Sequence, residues 1–271
     1  ARPGLGGDEL GRLARETEAE LVESPDDDRG LARRWFRRKL FEGHAYGRPV
    51  SGTAATLRAI GPEQVAARAR SIAGRDGLVF ALAGDIEPGE ATALVERITA
   101  NLPEGGVTGD PTPHPAMHGG RRLVIVDKPE RTQTQILIGG LGTHPLDPDH
   151  TALLVGNTIF GGTFTARLTQ EVRSKRGWSY GAYSNLPVDR RRQSFSMWTF
   201  PKAEDAPACI ELELELLQAL RERGVTKKEL SWAKRYLVRS HAFAVDTASK
   251  RVGLALDALL YELPERYYDE Y

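Results

Sequence analysis

The stretch GGTFTARLTQEVRSKRGWSYGAYSNL, residues 161–186, decides how the second half of the chain folds. Thr163 follows two glycines and is a residue able to cap a helix. Phe164, Leu168 and Val172 then recur every four residues, which predicts a helix with those three on its core face. Gly177 stands where a helix closes on a left-handed residue. Trp178 to Leu186 continues as a strand, with Tyr180, Ala182 and Ser184 on one face and Gly181 and Tyr183 on the other. Arg173 falls in the last helical turns, so the reversal at Gly177 lets Arg173 and Tyr180 converge. Both are hydrogen-bond donors, a planar cationic fork and a phenol O–H. Two donors aimed at one point suit a peptide carbonyl, or the oxyanion formed when that carbonyl is attacked. A second reading has Arg173 bonding helix-end carbonyls and Tyr180 packed in the sheet.

Outward from this turn the pattern is mixed. On its C-terminal side QSFSMWTF (193–200) alternates as a strand, and three helices follow: 209–222, 226–240 and 249–261. Thr226 and Glu229 have capping-box spacing. On its N-terminal side RRLVIVDK (121–128) and TQTQILIGGL (132–141) are expected strands, and 147–160 is an expected helix. Residues 103–120 are dense in proline and glycine and lose all periodicity, as a linker would. Before them come helices at 8–23, 29–41, 61–73 and 87–102, and one apolar run, GLVFALAGD (77–85), expected as a buried strand. Paired strands followed by massed helices indicate α+β: two related α/β-sandwich-like domains, each a mainly antiparallel sheet covered by helices. The expected division is 1–102, a linker at 103–120, and 121–271, with the first domain incomplete at its N-terminus.

Composition excludes several classes. Of 271 residues, 40% are hydrophobic and 27% charged, an ordinary balance for a soluble protein. Lys+Arg and Asp+Glu both number 37, so no global field gathers nucleic acid or an anionic membrane. A single cysteine, Cys209, excludes an internal disulfide framework and any cysteine-rich metal site. No apolar run reaches membrane-spanning length. The chain opens ARPGLGGDEL and closes ERYYDEY, a helix cut short, which suggests a processed chain or an excised piece. The compartment stays open between bacterial periplasm and cytoplasm.

FGGTFTARLTQEVRSKRGWSYGAYS (160–184) resembles a signature of the pitrilysin, insulinase and mitochondrial processing peptidase family of zinc peptidases, the inverted zincins. RRLVIVDKPERTQTQILIG (121–139), LFEGHAYGRPVSGT (40–53) and LVFALAGDI (78–86) resemble other parts of the same family. The resemblance implies that Arg173 and Tyr180 reach across a closed chamber to the substrate backbone beside the zinc. It also implies a helical H-x-x-E-H holding zinc, with a later glutamate as third ligand. No H-x-x-E-H occurs here; by the resemblance it would precede Ala1, and Glu20 would correspond to the distal ligand. The plain reading of Glu20 is a solvated helix glutamate.

His114 and His118 have the spacing of a helical metal pair, but Pro113 and Pro115 argue against a helix. HPLDPDH (144–150) is expected as a turn and helix cap, and the arginines of 33–38 as a solvated face. Arg190, Arg191 and Arg192 are expected in a hairpin loop, either as plain exposed turn residues or as a site that meets acidic substrate, and Gly161 and Gly162 as flexibility before a helix.

The resulting expectation is the substrate-binding, oxyanion-stabilising part of a zinc-dependent peptidase, with Arg173 and Tyr180 as catalytic residues and no metal on this chain. Zinc would sit in a partner or a missing region. The implied partners are a peptide and a zinc-bearing subunit in a homo- or heterodimer, without nucleic acid or a membrane span. The alternatives are an inert scaffold subunit of a larger complex and a free peptide-binding module.

Overall fold

A computed structural model describes residues 7–106, 112–264 and 266–268. The middle of the expected linker, 107–111, and the last residues of the expected C-terminal helix fragment lie outside them. Five helices open the chain: α1 (Gly7–Glu23), α2 (Asp28–Leu40), α3 (Ala54–Arg58), α4 (Pro62–Ile72) and α5 (Pro88–Thr99). A sheet and four further helices follow among the described residues: β1 (Ile136–Leu141), α6 (His150–Phe160), β2 (Ala182–Asn185), β3 (Ser194–Thr199), α7 (Ala206–Arg223), α8 (Lys227–Ala244) and α9 (Ala248–Leu260). The class is α+β.

The sheet is antiparallel in the order β1-β3-β2, with β3 central. Its register sets Met197 of β3 between Ile138 of β1 and Ser184 of β2, and Trp198 between Leu137 and Tyr183. Period-2 alternation therefore gives two faces. The inner face carries Ile136, Met197 and Ala182, which bury against Phe160, Leu168, Val172 and Cys209. The outer face carries Tyr183 and Trp198, with α2 packed beside β1. The capping box of α8 forms as expected: the Thr226 hydroxyl accepts from Glu229 N, and the Glu229 carboxylate accepts from Thr226 N at 2.7 Å. Glu229 also receives the Arg167 guanidinium, whose bonds hold its carboxyl down near 2.

Two expected strands are not strands. Residues 77–85 and 121–128 are without ladder pairing, and their apolar side chains lie open. Leu78, Val79, Phe80 and Leu82 are each about 40% exposed, and Leu123 and Ile125 reach 82% and 80%. A strand needs a neighbour to satisfy its backbone groups, and no described element pairs with either segment.

The helix expected after Thr163 is also different. It begins only at Arg167, and Thr169–Lys175 is a π-helix. Thr163 does not cap it; its hydroxyl turns back to donate to Thr158 O at the end of α6. Leu168 and Val172 reach the core, but Phe164 lies in the preceding turn, out of helical phase and 59% exposed.

Candidate functional site

The π-helix brings Arg173 to the surface one turn before the chain reverses. Gly177 has φ +66°, the left-handed conformation that spares a glycine the clash of a Cβ. Gly177 N donates to Arg173 O at 3.0 Å and Trp178 N to Val172 O at 3.1 Å, closing the helix end. The Arg173 guanidinium lies 4.5 Å from the ring centre of Phe164 and 4.4 Å from that of Tyr180. It is thus in contact with two aromatic faces, an attraction worth about 0.5–1 kcal/mol for an exposed pair.

Tyr180 is 75% exposed, so it does not continue the buried Ala182 and Ser184 face. Among the described residues no hydrogen bond or ion pair takes up the Arg173 N–H groups. The arrangement offers a cation and a phenol, side by side and facing outward, to an acceptor from outside.

Beside Tyr180 the outer sheet face forms a groove of about 370 Å³, lined also by Gly181, Tyr183, Asn185, Trp198, Phe200 and Arg29 of α2. Tyr183 stacks on Trp198 with ring centres 6.0 Å apart, and Phe200 lies 4.8 Å from the same indole. The indole N–H donates to Gln135 at 3.0 Å, which fixes the ring. A Cβ on Gly181 would come within 2.6 Å of the Tyr183 ring and 3.1 Å of Phe200, so glycine is what lets the aromatics close here.

Arg33, Arg34 and Arg38 are exposed, as expected of a solvated face, but Arg37 and the 190–192 loop differ. Arg37 is half-buried, donating to Gln193 Oε1 at 3.1 Å and Tyr46 O at 3.0 Å, and burial pushes its pKa down. In the 190–192 loop Arg192 grips Asp147, Arg190 pairs with Glu262, and Arg191 donates to Thr112 O at 2.6 Å. These are clamps between distant segments. Asp147 also accepts from Thr143 and from His144 N, the turn expected of 144–150. His114 sits edge-on to His144 and accepts from Arg192 N, so this end of the proline-rich stretch is held against the loop.

The family model of the peptidase M16 inactive domain matches residues 59–237. The chain belongs to the M16 inactive-domain family. An uncharacterized zinc protease of Streptomyces coelicolor is 28% identical over 223 residues, 79% of this chain and 48% of that protein. A Helicobacter pylori protein named a non-peptidase homolog is 21% identical over 91% of this chain and 56% of its own length. The crystal structure of a peptidase M16 inactive domain from Pseudomonas fluorescens superposes with a TM-score of 0.89 at 28% identity, covering 100% of this chain and 64% of that one. The chain spans about half the length of these curated relatives.

Zinc belongs to the wider M16 family by the names of its members. The residues described here do not fit it. Glu20 is exposed and lines a surface cavity with Arg33, Arg34, Arg37 and Arg48. The guanidinium groups around this lone carboxylate repel a dication. Among the described residues no group of three or more His, Cys, Asp or Glu could hold a metal ion. No described helix is long and apolar enough to cross a membrane.

Three contributors to this face escaped the sequence reading. Phe164 has core spacing, Arg29 is one arginine among many, and Trp198 gave no sign of lying outward. Only pairing across the fold distinguishes them.

Proposed function

We propose that this chain supplies the substrate-backbone contacts of an M16 zinc peptidase, through Arg173 and Tyr180, while metal and general base come from residues outside those described. The observation that carries the reading is the outward-facing Arg173–Tyr180 contact, 4.4 Å from guanidinium to ring centre, on an open surface. A guanidinium and a phenol placed together donate to a carbonyl oxygen and bind it more tightly as it gains negative charge. The peptide lies extended across this face, and the partner is a zinc-bearing peptidase subunit or region. On this reading the isolated chain cleaves no peptide.

The test is Arg173→Ala in the assembled enzyme. Losing one donor to a developing oxyanion costs roughly 3 kcal/mol, so kcat/KM is expected to fall on the order of 100-fold with the circular dichroism spectrum unchanged. Unaltered turnover would overturn the reading. It would leave the second one, an inert interaction subunit, which the Helicobacter relative named a non-peptidase homolog favours. Zinc-dependent cleavage by the isolated chain would equally remove the division of labour.

A further inference from the structure

We infer that the groove between α2 and the outer sheet face is a side-chain subsite that takes a carboxylate-bearing residue of the bound peptide. The inference rests on the preceding reading only for the presence of a peptide on this face.

The argument begins with charge. The Arg29 guanidinium lies 3.6 Å from the Trp198 ring centre and that of Arg33 lies 6.0 Å from it. Among the described residues neither arginine makes an ion pair or a hydrogen bond, whereas their neighbours Lys128 and Arg131 are matched to Asp28. Desolvation and the like charge of Arg33 both push the Arg29 pKa down, against a smaller opposite pull from Asp27. The lining residues of the groove include no acid. Arg29 is therefore held over the indole with the like charge of Arg33 nearby and no acid in the groove lining, an arrangement an incoming anion relieves.

Shape narrows the anion. A volume of about 370 Å³ falls at the small end of ligand sites, which run from about 300 to 1,000 Å³. Its floor is aromatic, formed by Tyr183, Trp198 and Phe200, and Asn185 adds a polar amide. A carboxylate pairs with the planar fork of arginine through two parallel bonds, while an aliphatic stem lies on the rings. A bare inorganic anion would leave that apolar floor uncovered, and a purely apolar side chain would leave Arg29 unmatched. Position completes the case. Tyr180 borders both the groove and the Arg173 guanidinium, so a backbone held at the pair would direct a neighbouring side chain into the groove. The carboxylate could come from a Glu or Asp side chain or from the peptide C-terminus; the chemistry is shared.

The experiment uses the assembled full-length enzyme and paired peptides. One set exchanges Glu for Gln at each position near the scissile bond, and a second exchanges a free C-terminus for an amide. The expected result is that at one position the charged peptide is favoured roughly 10-fold in kcat/KM, the effect of one charge-assisted pair. Arg29→Ala is expected to erase that ratio and Arg29→Lys to restore part of it. Dependence on Glu assigns the side chain as source; dependence on the free C-terminus assigns the terminus. Absence of any preference in both sets, or a preference that survives Arg29→Ala, overturns the subsite. Arg173→Ala is measured alongside and is expected to lower both members of each pair by one factor. A flat Arg173→Ala result with a lost preference in Arg29→Ala overturns the carbonyl-binding role and keeps the subsite; the converse overturns the subsite alone. Calorimetric binding of the same peptides repeats the comparison without turnover.

Discussion

A carboxyl group sealed inside a helix layer holds its proton, and Glu213 is such a group. It is fully buried on α7, one turn beyond Cys209, behind the central strand. Neither of its oxygens has a hydrogen-bond partner among the described residues. Desolvation raises its pKa to about 7; the Thr199 hydroxyl is near enough to ease that shift slightly, without hydrogen-bond geometry. Desolvation, helped by Glu213, pushes the Cys209 thiol up to about 11, so this cysteine is no nucleophile. A folded pKa of about 7 against 4.5 for the free group means that the native state binds the extra proton between those values. Stability is then full below about pH 4.5, falls as pH rises through 7, and levels off above, a loss of about 3 kcal/mol. Glu213→Gln keeps the shape and removes the titration. Chemical denaturation of the two proteins at pH 5 and pH 8 should show the slope in the native chain and its absence in the variant.

At the scale of elements, the turn that joins the π-helix to β2 sets the geometry of the candidate site. Gly177 at φ +66° has open space around its missing Cβ, so replacement meets backbone strain alone. Gly177→Ala is expected to cost about 1–2 kcal/mol in thermal unfolding and to weaken the Arg173–Tyr180 contact. A variant as stable as the parent would show that the turn is not what fixes the pair. This turn was legible in the sequence because a glycine placed between a helical and an alternating pattern has one physical use. The helices α6 to α9 and strands β1 to β3 were legible for a related reason: each carries its own period and buries it locally. The π-helix was not, because residues four apart fall near one another in either helix type. Arg190, Arg191 and Arg192 looked like exposed loop residues since their partners, Glu262, Thr112 and Asp147, lie far along the chain. Phe164 looked like core because period alone does not say where a helix begins.

At the scale of the whole molecule, the two apolar segments expected as strands decide how the chain behaves alone. Leu123 and Ile125 are two apart, share a face, and are 82% and 80% exposed; Val124 and Val126 on the other face are 40% and 41%. Among the described residues no backbone hydrogen bond ties 121–132 to another element. An extended apolar segment with free N–H and C=O groups is a template for pairing with another chain, and contiguous exposed apolar surface of this kind seeks cover. Leu78, Phe80 and Leu82 extend the liability. The purified chain is therefore expected to bind 1-anilinonaphthalene-8-sulfonate in its native state and to self-associate with rising concentration. Replacing Leu123 and Ile125 together by lysine puts repelling charge on the segment without touching the core, so light scattering should report a shift toward monomer and dye fluorescence should drop. A parent chain that stays monomeric and dye-silent at high concentration would overturn this expectation.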